Sequence, residues 1–340
     1  MSKRTRLFVL VASSTLIAGV GTAGVASYVG FGPLAQVGGT AASDLSYIPA
    51  AAEVVAFADV RRVMDSDLRQ KLHSDLNRTA GRQNQLQEIG LDLERDVDTV
   101  VVATLPAAEG TAGPHLPLLL ARGRFDNARI EATIRNAGGA PTEHRGYRFV
   151  SNDRVAVAFI ETGFIVAGGP AAVRLSLDTR ATGSGSITGD ASLVRLVRRV
   201  DDAATWVVAD FQALQSTNLL PGAMAGQLPA ITWLAASGDV GDGLSARIFA
   251  EGRDERAAQD LQEVVRGFVA LARMQSGQEA ALNQLLNSIE LTGEGKTVTL
   301  SFAVPAEFFD RLKNAARPKT PVAPISPRRA PRQAPMRPAA

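Results

Sequence analysis

One local pattern occurs twice in this chain and restricts the fold more than any other feature. An apolar run that starts at Leu116 ends in Gly123-Arg124, and Asp126 follows just before 128–131. A short continuous apolar run predicts a buried strand, and the Asp side chain can accept hydrogen bonds from the free N–H groups at a helix start. The same order returns at 246–254, where Gly252-Arg253-Asp254 follows a second apolar run.

The remaining elements repeat in a matching order. The stretch 207–211 resembles 56–60, since each is an apolar strand that ends in Ala-Asp and an apolar residue. Each half then reads as strand, helix, strand, strand, helix, strand, which is the order of the split-βαβ, ferredoxin-like unit. We therefore predict an α+β fold with two degenerate ferredoxin-like (βαββαβ-type) copies, each with an antiparallel sheet. The first lobe spans residues 47–200 and the second spans residues 201–316.

Three turns are marked by short polar and glycine-containing stretches between apolar runs. They lie at 161–163, at 242–243 and at 293–297. Residues 293–297 also resemble the end of a phosphate-binding loop, but that loop must lead into a helix and this one joins two strands. All three therefore predict hairpins.

Charge is distributed unevenly along the chain. Of the 36 Lys and Arg residues, nine lie in 1–6 and 317–340, which contain no acids, so residues 7–316 hold 27 bases against 34 acids and a net charge of −7. An acidic body of this kind argues against a nucleic-acid partner. The absence of Cys removes thiol nucleophiles, cysteine metal sites and disulfides.

The amino end has the pattern of a membrane signal. Three basic residues in 1–6 precede the uncharged stretch 7–29, which is long enough to cross a bilayer as a helix. We predict a signal anchor or signal peptide over residues 1–30, with a possible cleavage after Ala26 in the second case. Residues 31–46 lack periodicity and are interpreted as a linker. Either alternative places residues 47–340 outside the cytoplasm, and the anchored form attaches them to the inner membrane.

No stretch matches a known catalytic, cofactor or metal motif. The acids of 92–98 alternate, but Val97 and Ala103 stand where a calcium loop needs Gly and Glu. His144 lies beside Glu143, and one His with a sequence neighbour makes neither a catalytic triad nor a metal site. No catalytic residue, cofactor or metal ligand is therefore assigned. An enzyme would need a pocket that gathers Glu143, His144 and Asp153, or the 92–98 acids.

The carboxyl end, residues 317–340, contains seven Pro and no apolar periodicity, which predicts a disordered tail. Its arginines can contact an anionic envelope polymer or lipid headgroups. The candidate contact residues are Arg328, Arg329 and Arg332.

Three stretches of this chain resemble a class of exported, uncharacterised bacterial proteins with a single amino-terminal membrane span. They are 47–59, 90–98 with its Gly-Leu-Asp-x-x-Arg-Asp-Val-Asp pattern, and 121–126 with Ala-Arg-Gly-Arg-Phe-Asp. The resemblance implies an α+β ectodomain in the periplasm or elsewhere in the cell envelope, and it carries no activity and no site residue.

These observations favour a membrane-tethered extracytoplasmic protein that binds or scaffolds an envelope component without catalysis. Its partners would be the membrane, through the amino-terminal helix, and an envelope polymer or protein, through the basic tail. Two alternatives stay open, an envelope hydrolase with an unrecognised site and a sensor that holds its ligand between the lobes.

Overall fold

The computed structural model describes residues 42–66, 93–107, 115–216, 230–241, 243–276 and 280–305. The helices are α1 Ala42–Leu45, α2 Val60–Met64, α3 Leu93–Asp96, α4 Asn127–Asn136, α5 Pro170–Thr182, α6 Ala191–Arg198, α7 Phe211–Ser216, α8 Glu255–Ser276 and α9 Ala280–Asn287. The strands are β1 Val54–Asp59, β2 Val97–Pro106, β3 His115–Gly123, β4 Ala140–His144, β5 Tyr147–Ser151, β6 Ala156–Glu161, β7 Phe164–Gly168, β8 Thr205–Asp210, β9 Ile231–Val240, β10 Leu244–Gly252, β11 Glu290–Glu294 and β12 Thr297–Val304.

All twelve strands form one sheet in the order β11-β12-β10-β9-β8-β1-β2-β3-β7-β6-β5-β4. Every neighbouring pair runs antiparallel. The described part of the chain is thus a single large antiparallel sheet with helices packed on both of its faces.

The prediction of an α+β fold with two ferredoxin-like copies is wrong. A split-βαβ unit contains a helical crossover between parallel strands, whereas β2 lies directly beside β1 and runs antiparallel to it. The two halves are also not separate sheets, because β1 pairs with β8. The order of elements along the chain suits both arrangements, and only the strand pairing distinguishes them.

The helices described here also do not support the prediction of a membrane-spanning helix. None of the helices within the described ranges is both long and apolar enough to cross a membrane. The stretch 7–29, on which that prediction was based, lies outside the described residues, as do the tail residues 317–340.

A local two-fold relation centres on the β1–β8 pair. Ala56 lies opposite Val207, and Val54 pairs with Ala209 while Ala58 pairs with Thr205. Each strand ends in an Asp that caps the next helix: Asp59 accepts from two N–H groups of α2, and Asp210 accepts from two N–H groups of α7 at 2.8 and 3.1 Å. The chain therefore passes from the central strand into a helix in the same way in both halves.

The two faces of the sheet carry different helices. Directly paired residues share a face, so Val102, Ala56, Val207, Ala236 and Ile248 mark one face from β2 to β10. On this face α4 packs against β2 and β3, and α8 packs against β10 and β12. Apolar side chains of α5 and α6 cover the other face together with the segment 45–48.

Several local predictions are confirmed. The carboxylate of Asp126 accepts a hydrogen bond from Arg129 N at 3.0 Å and starts α4. The turn at 161–163 joins β6 to β7 through Gly163, whose φ is 76°. The phosphate-loop-like stretch 293–297 is the hairpin between β11 and β12.

Gly123 ends the repeated apolar run because a side chain does not fit there. A Cβ at this position would lie 2.0 Å from the carbonyl oxygen of Asp96, which is a backbone atom that cannot swing away. We expect Gly123→Ala to lower the free energy of unfolding by about 1–3 kcal/mol, the usual cost of overpacking. Denaturant unfolding measures this cost.

The matched control is Gly189→Ala, because a Cβ at Gly189 would meet no atom within 4 Å. Equal stability of the two variants would show that the close approach at Gly123 is not a constraint.

Candidate functional site

The polar side chains of the first half converge at one end of its sheet. The end of β3, the β4–β5 and β6–β7 turns and the carboxyl end of α5 meet there with the segment 42–48. Turns expose their polar residues, and the last turn of α5 holds one basic residue, Arg180. This end of the molecule is the candidate functional site.

Asp44 and Arg122 attach the amino-terminal segment to the sheet. Asp44 is only 4% exposed, and its two oxygens accept from Arg122 Nε at 2.8 Å and from Arg122 Nη2 at 2.6 Å. Arg122 Nη1 also donates to Glu161 at 2.9 Å, and its guanidinium lies 4.2 Å above the ring of Phe164. The hydrogen bond to Asp44 raises the pKa of Arg122 well above its usual range. Residues 42–46, which were predicted to end a linker, thus include a buried ionic anchor.

Tyr47 continues this attachment. Its ring packs edge-on against Phe164 at 5.3 Å, and its carbonyl oxygen accepts from Ser176 Oγ of α5 at 2.6 Å. Burial raises the pKa of Tyr47, and a hydrogen bond with Tyr147 raises it further. Both effects favour the neutral phenol, since a phenolate would lose hydration at this position.

The β4–β5 turn places an arginine and a histidine on one carboxylate. Arg145 and Gly146 have φ values of 54° and 81°, so this two-residue loop has the left-handed backbone of a type I′ turn, in which Asn-Gly is the usual pair. Arg145 Nε donates to Asp178 Oδ1 at 2.6 Å, and His144 Nε2 lies 3.2 Å from the same oxygen. The bond from Arg145 holds the pKa of Asp178 below its usual range.

Two further arginines of α5 stack on aromatic rings. The guanidinium of Arg174 lies 5.3 Å from the ring centre of Phe149, and that of Arg180 lies 5.4 Å from the ring centre of Tyr47. Neither forms an ion pair with a carboxylate in the described part of the chain. Cation–π contact holds the planar group of Arg174 while its N–H edge stays available, whereas Arg180 also forms a hydrogen bond with the Tyr47 phenol.

The hydrolase residues considered from the sequence are not gathered in one place. His144 lies at the β4–β5 turn, whereas Asp153 lies in the exposed loop beyond the far end of β5, at least five strand residues and so roughly 17 Å away. Glu143 alternates with His144 and therefore lies on the opposite face, across from Arg148. These three residues form no triad.

The acids of 92–98 are also dispersed. Asp96 contacts its neighbour Arg95, and Asp98 accepts from Arg61 Nε at 2.6 Å. No group of three or more metal-ligating side chains occurs among the described residues. Asp92 lies outside them, and so do Arg328, Arg329 and Arg332, whose predicted contacts with anionic envelope material stay predictions.

Sequence reasoning missed the residues that form this site. Asp44 and Asp178 belong to no motif, and Tyr47 and Arg122 lie in stretches that carry no site residue by resemblance; Asp44 and Arg122 are 78 positions apart. The one local signal is Arg145-Gly146, because a two-residue loop that demands positive φ rarely contains Arg.

Comparison with known proteins gives no information on the function of this site. No family model matches the chain, and no curated protein matches it. The fold is similar to that of TP0453 in three crystal forms, with TM-scores of 0.44, 0.47 and 0.45 for forms I, III and IV. Sequence identity is 12, 12 and 11%, and the alignments cover 80, 80 and 79% of this chain and 96, 97 and 95% of the other. At these values the likeness carries no functional inference.

This arrangement can hold the segment 42–48 on the sheet and can bind a ligand. Its carboxylates Asp44 and Asp178 are engaged by arginines, and the raised pKa of Tyr47 keeps that phenol protonated. It does offer a rigid attachment for the segment 42–48 and an excess of guanidinium groups at the surface.

The ionic attachment makes a stability prediction. Asp44→Asn removes the negative charge beside Arg122, and breaking a buried pair costs about 3–5 kcal/mol when both partners are enclosed. Because Arg122 keeps a third of its side chain exposed, we expect a smaller loss of about 2 kcal/mol, measured by denaturant unfolding. Asp202→Asn is the control, since the Asp202–Arg247 pair is exposed and should cost under about 0.5 kcal/mol. Equal losses in both variants would contradict the attachment.

The raised pKa of Tyr47 makes a pH prediction. The folded state keeps a proton that the unfolded chain loses near pH 10, so the stability from this group is complete below pH 10 and is lost as pH rises through the folded pKa. A phenolate absorbance titration of the chain minus that of Tyr47→Phe should show a component above pH 10. A difference component at or below pH 10 would contradict this environment.

Proposed function

We propose that this protein is an extracytoplasmic binding or scaffold protein of the cell envelope that acts without catalysing a reaction. The observation that carries the proposal is the attachment of segment 42–48 by Asp44–Arg122 and Tyr47. A binding or scaffold protein must hold its contact surfaces on a rigid body. Here the first described residues are joined to β3 by two charge-assisted hydrogen bonds and to α5 by a third hydrogen bond.

The sequence supports the same proposal from both ends. The basic start and the uncharged stretch 7–29 favour export, as does the resemblance to exported bacterial proteins. The tail adds six basic residues and no acids to an acidic body, so it favours an anionic partner in the envelope. In this proposal the tail arginines 328, 329 and 332 contact that partner.

Sedimentation with washed cell envelopes tests the proposal. The purified full chain should sediment with the envelopes, and Arg328→Ala/Arg329→Ala/Arg332→Ala should reduce the bound fraction several-fold at low salt, with less effect at high salt where charge contacts are screened. The control variant is Arg154→Ala/Arg198→Ala/Arg199→Ala, which removes the same charge from exposed positions on the body. Bound fractions are measured by quantitative immunoblotting.

Two results would overturn the proposal. One is a full chain that does not sediment with envelopes above a cytosolic reference protein. The other is protection of the body from protease added outside cells whose outer layer has been opened, with digestion only after lysis.

A further inference from the structure

We infer that Arg145, Arg174 and His144 form a binding site for a phosphate group on the outer side of α5. The inference rests on the proposed binding function and names the chemistry of one ligand. The phosphate can belong to free inorganic phosphate or to a lipid headgroup, and both present the same tetrahedral oxyanion.

The first step is the supply of free donors. Arg145 uses only Nε toward Asp178, and His144 contacts the same oxygen of that carboxylate. The two Nη groups of Arg145 and the whole guanidinium of Arg174 have no hydrogen-bond partner within the described ranges. Two guanidinium edges therefore remain for a ligand.

The second step is their proximity. Arg174 and Asp178 are four residues apart in α5, so they lie on the same side of the helix with Cβ atoms about 5–6 Å apart. Arg145 and His144 meet that side through Asp178, and the ring beneath Arg174 belongs to Phe149 in β5, the strand that leaves the same turn. The four side chains therefore share one surface, which is formed by the outer side of α5 and the β4–β5 turn.

The third step is charge. Two arginines and an imidazole face one carboxylate here, although the body between residues 7 and 316 carries a net charge of −7. The nearby acid Glu143 lies on the opposite face of β4. A local cationic excess on an acidic surface attracts an anion that the rest of the body repels.

The fourth step is backbone strain. Arg145 is the only non-glycine residue with positive φ in the described part of the chain, and such a conformation costs roughly 1 kcal/mol or more. Asn or Gly would avoid this cost in a type I′ turn. The strained turn places a guanidinium on Asp178, four residues from Arg174 in α5, and the guanidinium fork matches phosphate oxygens two at a time.

Calorimetric titration of the purified full chain tests the site. Inorganic phosphate is one probe, and phosphatidylglycerol vesicles, compared with phosphatidylcholine vesicles, are the other. We expect Arg174→Ala to weaken phosphate-dependent binding at least ten-fold, Arg174→Lys to restore it only in part, and the exposed control Arg154→Ala to leave it unchanged. Arg174 is exposed, and an unchanged unfolding midpoint would confirm that Arg174→Ala folds.

Each outcome decides the proposal. Binding of inorganic phosphate that depends on Arg174 supports a soluble phosphate ligand, and Arg174-dependent binding of phosphatidylglycerol vesicles alone supports a headgroup. Binding that Arg174→Ala does not change, or no binding of either probe, overturns the site. If phosphate binding fails but the chain still sediments with envelopes, the proposed function stands without this site. If the chain binds phosphate but does not sediment with envelopes, the proposed function is wrong and the site stands.

Discussion

The pairing of β1 with β8 is the constraint on which the rest of this structure depends. Without it, each of these strands would be the open edge of a smaller sheet, with its backbone N–H and C=O groups unpaired. The ladder matches five residue pairs, and on one face Phe57 stacks on Trp206 with ring centres 5.6 Å apart. Both side chains are fully buried, so the aromatic contact adds to the ladder where the two halves meet. One hydrophobic cluster therefore runs from the α5 side of the first half across the centre to Ala235 and Phe249 of the second.

The outer edges show how a sheet this wide stops growing. Open twisted sheets rarely exceed about ten strands, and each edge of this one is a short strand of five residues. β4 contains Pro141 and Glu143, and β11 contains Glu290 and Glu294. Proline removes a donor, and charged side chains make a further strand costly to add. The centre of the sheet thus favours pairing while its edges oppose it, and the result is one open sheet that ends after twelve strands.

The sequence predicted those features that depend on residues within about four positions of each other. Asp126 caps α4, and the 161–163 and 293–297 stretches turn hairpins, because caps and turns are made by neighbouring residues. Strand pairing depends on distant residues, so the same order of elements was assigned to two ferredoxin-like units. β4 was missed because its polar residues show no apolar alternation, and the site was missed because Asp44 meets Arg122, and Arg145 meets Asp178, only after folding.

The attachment of the amino-terminal segment and the proposed phosphate site share α5, and this sharing determines how the site would work. Ser176 of α5 holds the Tyr47 carbonyl, while Asp178, two residues later, holds the β4–β5 turn. On the side of α5 that faces the sheet, the side chains of Ala172, Val173 and Leu177 are fully buried. A helix fixed on both flanks and beneath is held in one position on the sheet. Its value lies in pre-organisation: the arginines are held by rings and a carboxylate before a ligand arrives, and less entropy is lost on binding. The strain at Arg145 is consistent with this reading, since a fixed turn is needed to keep a guanidinium in a conformation that the free chain disfavours.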